Sequence, residues 1–143
     1  MTRLQAIRKF ADIVAGEHVI CSYEMNEWAM SMIDVHPRLM LPRDLLQNDE
    51  GDKLFRKDFV ERCPMGRGFA NVTLSILHEI GHHFNREEYI FCDYEEYENA
   101  HGSEHFKLQC EIVATNWAIE WLQDPFHRKI AKAFEHEFFS AVR

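Results

Sequence analysis

Across residues 2–15 the apolar side chains fall at Leu4, Ile7, Ala11 and Val14, three and four positions apart. That spacing gathers them on one face of a helix, with Thr2 able to cap its start and Gly16 to end it. Residues 18–23 are β-branched and aromatic and read as a strand. Residues 28–35 carry Ala29, Met30, Met32 and Ile33, a pattern open to a buried strand or one helical turn, with strand preferred. Pro37 breaks the chain, and Leu39, Met40 and Leu41 make a short extended piece stopped by Pro42. Asp44 opens a helical turn through Leu46, and residues 48–52 form a polar turn.

Helical spacing dominates the rest. Residues 53–62 predict a short amphipathic helix with Leu54, Phe55 and Phe59 inward, followed by a Pro- and Gly-containing loop at 63–68. Val72, Ile76 and Ile80 recur at one-turn steps, with Asn71 as the expected cap and Asn85-Arg86 as the exit. Gly81 inside this helix costs about 1 kcal/mol relative to Ala, which points to the close approach of another backbone. Ser103 is the expected cap of a long helix to about Leu122, with Leu108, Glu111, Ile112, Thr115, Ala118, Ile119 and Leu122 along one face. Asp124-Pro125 interrupts, and a last helix through Val142 presents Phe126, Ile130, Phe134 and Phe138. The expected fold class is α+β, mainly helical with a small sheet from the N-terminal half.

Length and composition narrow the class. The 143 residues suit a single domain, 1–143, and 46% of them are hydrophobic, with eleven Phe. No apolar run approaches the ~20 residues of a membrane span. Residues 1–16 intersperse Arg3, Arg8, Lys9 and Asp12 among apolar positions, so no signal-peptide core is read there and a cytoplasmic location is expected. A net charge of −8, without a basic cluster or a Gly-rich phosphate loop, argues against direct nucleic-acid binding. Cys21, Cys63, Cys92 and Cys110 form no CxxC pair and read as reduced, mostly buried thiols.

Residues 77–83 add chemistry. His78, Glu79 and His82 match HExxH. Four residues on a helix is 400° of rotation and about 6 Å of rise, so both imidazoles leave one face and can reach one ion at about 2.0–2.1 Å. Glu79 points aside, placed to take a proton from a water. A catalytic zinc commonly has a third protein ligand. Glu111 is an acid on a largely apolar stripe, costly to bury unless something positive compensates it. It is either that ligand or an edge residue reaching solvent. A metzincin is excluded, because Glu88 and Asn85 stand where that pattern needs His and Gly.

Two stretches carry a resemblance. Residues 72–82, an apolar and hydroxyl-bearing lead into His78-Glu79-Ile80-Gly81-His82, are similar to the first signature of the ImmA/IrrE family of metallopeptidases. The run from Glu111, with Ala114, Trp117-Ala118, Ile119, Trp121 and Leu122, resembles the second. Residues 33–45 look like the family's strands ahead of the motif helix, so the likeness covers roughly residues 30 to 122. It implies a zincin-like domain with Zn2+ on His78, His82 and Glu111 and with Glu79 as general base. It also implies an intracellular protein substrate such as a helix-turn-helix repressor, and a compact stand-alone member of the kind found on phages and mobile elements. The sequence departs from the pattern at Val113, where members often have a second acid, at His83, and in the acidic Tyr-rich residues 87–104.

On this reading the expected reaction is hydrolysis of a peptide bond. The oxyanion donor could be Tyr89, Tyr94, Tyr97, His101 or His105, and the sequence does not choose. His127 and His136 read as surface or helix-end residues. Residues 87–104 are a solvated connection or a lid over the site. Two further readings stand beside the enzyme: an inactive, zinc-stabilised protein-binding module of the same fold, and a helical protein in which HExxH holds no metal.

Overall fold

The computed structural model describes residues 1–25, 29–33, 36–46, 53–90 and 92–141. Helix α1 (Arg3–Ala15) starts from a reciprocal capping box: the Gln5 amide donates to Thr2 Oγ1, and the Thr2 amide donates to the Gln5 side chain. It ends where Gly16 turns left-handed at φ 70°. Three strands follow, β1 (Ile20–Met25), β2 (Ala29–Ile33) and β3 (His36–Pro42). They form one sheet of order β1-β3-β2, with β1 parallel and β2 antiparallel to β3. The strand pattern expected over 28–35 is thus seen at 29–33; Trp28 and residues 34–35 lie outside the described residues, as does the polar turn at 48–52. Pro37 does not interrupt β3; it pairs with Met32 inside the strand.

Arg43–Leu46 forms a 3-10 turn, then come α2 (Lys53–Arg62), a second 3-10 turn at Pro64–Gly68 and α3 (Asn71–Phe84). Two short helices, α4 (Arg86–Ile90) and α5 (Tyr94–Asn99), and a 3-10 turn at Gly102–Lys107 lead to α6 (Gln109–Leu122) and α7 (Pro125–Ser140). Helix α3 is the centre of the molecule. Every residue from Asn71 to Gly81 is buried, because α6, α1, α2, α7 and the sheet surround it. Phe10 of α1 stacks on Phe134 of α7 at 4.4 Å and meets the edge of Trp121 of α6 at 5.9 Å, closing the core at the far end. No helix is long and apolar enough to cross a membrane.

Several local expectations are corrected. Ala70, not Asn71, is the N-cap of α3, and it has no capping side chain of its own. The carboxylate of Glu135, from α7, serves instead: its Oε2 accepts from the Ala70 amide at 2.7 Å and from the Thr73 hydroxyl at 2.6 Å. Ser103 does not cap α6, since residues 102–107 are 3-10 and the α-helix starts only at Gln109. The left-handed Gly102, at φ 59°, sets that separate turn. Leu54 is 47% exposed, because α2 buries the one-turn pair Phe55 and Phe59 and Leu54 lies 100° round from Phe55. Phe126 is 67% exposed at the first turn of α7, short of the core that Phe134 and Phe138 enter. Helix α7 ends at Ser140, and Val142 lies outside the described residues.

Candidate metal centre

Two helices distant in sequence build the site. On α3, His78 and His82 stand one turn apart with ring centroids 4.7 Å apart and planes at 86°. On α6, Glu111 occupies the first turn, where the helix dipole favours an anion. Its Oε2 lies 2.7 Å from His78 Nε2 and 2.9 Å from His82 Nε2. Its other oxygen, Oε1, lies 3.0 Å from His105 Nε2. Glu111 is thus not an edge residue reaching solvent; it is 4% exposed and faces three imidazoles.

Close helix packing makes this possible. A Cβ on Gly81 would lie 2.5 Å from the Ala114 carbonyl oxygen, so α3 and α6 meet backbone to backbone one turn beyond Glu111. Behind the site, His78 Nδ1 stands 2.9 Å from Thr115 Oγ1. An N–H at His78 Nδ1 donates to Thr115 Oγ1, which leaves Nε2 as the nitrogen that faces Glu111 and the centre. Phe55 sets its ring against His78 at 5.2 Å.

The charges follow from burial and contact. Burial would raise the Glu111 carboxyl, but hydrogen bonds from His105, His78 and His82 outweigh it and hold the group well below the usual carboxylate range. His82 is pushed up: burial opposes its charge, while the hydrogen bond and charge of Glu111 prevail. Glu79, 9% exposed, is raised chiefly by burial, with the neighbouring imidazoles pulling the other way. A buried carboxylate with a raised pKa is one poised to accept and release a proton. Next to Glu111, burial first and then the Glu111 charge push the Cys110 thiol up to about 12.

His78, Glu79 and His82 form a possible metal-binding group, their ligand atoms all within 4.8 Å of one another. Glu111 is the carboxylate lying against both imidazole nitrogens, so the donor set of two Nε2 and one carboxylate oxygen suits a borderline ion such as zinc. Ligands on a tetrahedral zinc stand about 3.3 Å apart. The present 2.7 and 2.9 Å are hydrogen-bond separations, which a bound ion would open by roughly half an ångström while displacing the shared protons.

The other candidates divide. His105 is at the site, against Glu111, and the Tyr97 ring lies 5.5 Å from His105. Tyr94 is 76% exposed on α5 and hydrogen-bonds Glu98, and His101 is exposed ahead of the 3-10 turn; the structure joins neither to the three imidazoles. Tyr89 belongs to α4, but its side chain lies outside the described residues. His83 turns to Glu17 at 3.5 Å, and His127 stacks on Trp121 with Nδ1 2.7 Å from the Trp121 carbonyl. Thr115 is the residue that sequence reasoning overlooked. The available signal was its position one turn after Glu111, on the face opposed to HExxH. No protein-family model, no curated protein and no solved structure matches the chain.

Proposed function

We propose that this chain is a zinc-dependent metallopeptidase of the ImmA/IrrE type, with a zincin-like domain, that cuts an intracellular protein such as a helix-turn-helix repressor in the cytoplasm. The observation that carries the reading is the convergence of His78 and His82 on α3 with Glu111 on α6. These three would hold the ion. When bound, zinc supplies a Lewis acid that polarises a carbonyl and lowers the pKa of water toward ~7.

The remaining work falls to side chains. Glu79, beside the imidazoles and with its hold on a proton strengthened by burial, takes the proton of the attacking water as a carboxylate and passes it to the leaving nitrogen. His105 holds Glu111 by its second oxygen and fixes the orientation of that carboxylate. Thr115 fixes the His78 ring from the other side. Among candidates with described side chains, this reading narrows the oxyanion donor to Tyr97 or His105.

The test compares zinc content and peptide hydrolysis of the parent, Glu79→Gln and Glu111→Ala, using a mixed fluorogenic peptide library. The parent binds one zinc and cleaves, Glu79→Gln keeps zinc and loses about 10²–10⁴-fold in rate, and Glu111→Ala loses the metal. A Glu79→Gln variant as active as the parent excludes this mechanism. Zinc bound without hydrolysis by any form favours the binding module, whose partner would meet the exposed acidic face of α5.

A further inference from the structure

We propose that Cys92 and Cys110 close into an intrachain disulfide on exposure to a hydroperoxide, tying the acidic segment to the helix that carries Glu111. Their Sγ atoms stand 3.8 Å apart across 18 positions of chain. A disulfide brings two sulfurs to about 2.05 Å. The needed approach falls on Cys92, which lies in a bend just ahead of Asp93, the N-cap of α5, outside the helical hydrogen-bond ladders. Cys110 is held in the first turn of α6 and is 2% exposed. Cys92 is only half-buried, so a peroxide meets it first. Cys21 and Cys63 are buried elsewhere in the core, and among the described residues neither lies against a second thiol.

The chemistry balances with hydrogen peroxide as oxidant. The Cys92 sulfur attacks the peroxide, an S–O bond forms, the O–O bond breaks and water leaves, giving a sulfenic acid. The Cys110 sulfur then attacks that sulfur, an S–S bond forms, the S–O bond breaks and a second water leaves. Two thiols and one peroxide give one disulfide and two waters, and a dithiol reverses the sequence. Residues 93–109 then form a closed loop that holds α5, Tyr97 and His105 beside α6. The inference rests on the thiol geometry and is independent of the metallopeptidase reading.

The experiment treats the full chain with a few equivalents of hydrogen peroxide, blocks free thiols under denaturing conditions and maps peptides without reductant. Denatured thiol titration should fall from four to two, with one peptide pair joined through Cys92 and Cys110. Cutting the acidic segment with a Glu-specific protease should leave two fragments that part only on reduction. Cys92→Ser should retain all three of its thiols. Cys110→Ser should leave a Cys92 sulfenic acid trappable by dimedone and no internal link. The proposal is overturned if Cys92 proceeds to sulfinic acid while Cys110 stays alkylatable. It is equally overturned if Cys92 links to Cys21, to Cys63 or to a second chain.

Discussion

Thr115 shows how much a single hydroxyl can decide at the residue scale. A metal-ligating imidazole almost always has a partner on its other nitrogen that fixes ring and tautomer. Thr115 is that partner, buried and 2.9 Å from His78 Nδ1. Thr115→Val keeps the shape and removes the acceptor, leaving a buried ring nitrogen unpaired at a cost of about 1–3 kcal/mol. Zinc affinity, followed by competition with a chromogenic chelator, should weaken roughly 10–100-fold, and Thr115→Ser should restore most of it. An unchanged zinc affinity in Thr115→Val would refute the positioning role. The sequence shows the HExxH residues because their spacing is local. It cannot show His78 meeting Thr115, a pairing across 37 positions that depends on where α6 lands.

Between elements, the decisive contact is α3 against α6. Replacing an exposed helical Gly by Ala stabilises by about 1 kcal/mol. At Gly81 the added methyl would meet the Ala114 backbone oxygen at 2.5 Å, and backbone cannot swing aside as a side chain does. Gly81→Ala should therefore destabilise, by roughly 1–3 kcal/mol as for other overpacked cores, read from the midpoint of urea unfolding. A variant as stable as the parent would contradict the backbone contact. Element identity was partly legible: helical periodicity marks α1, α2, α3, α6 and α7, the β-branched residues 18–23 mark β1, and short apolar runs mark β2 and β3, whereas the acidic residues 87–104, read as a connection or a lid, contain α5 and the end of α4. Boundaries and caps were less so. Ser103 has good cap chemistry but lies before a separate 3-10 turn, and the partner for the start of α3 comes from Glu135, 65 positions away.

At the scale of the whole molecule, an ion shared by α3 and α6 would link the centre of the core to the second half of the chain. Binding to the folded state alone stabilises it by mass action. With free zinc at one hundred times Kd the gain is about 2.7 kcal/mol, which for a chain of this size raises Tm by roughly 5–10 °C. Differential scanning calorimetry with zinc and with excess chelator should show that rise for the parent and none for Glu111→Ala. A parent whose Tm ignores zinc would remove the metal from the account.

The chain by itself determined the five longer helices, the extended runs of the sheet, the acidic balance and the one-turn spacing of His78 and His82, because each depends on residues near one another in sequence. Only the tertiary structure decided that Glu111, carried on a helix formed much later in the chain, lies between those imidazoles. The same holds for His105 taking its second oxygen while His101 and Tyr94 face solvent, and for Cys92 touching Cys110. These are properties of how packed surfaces meet. That meeting is set by the volume of every side chain in the α3–α6 seam, down to the missing methyl of Gly81, and no local pattern encodes it.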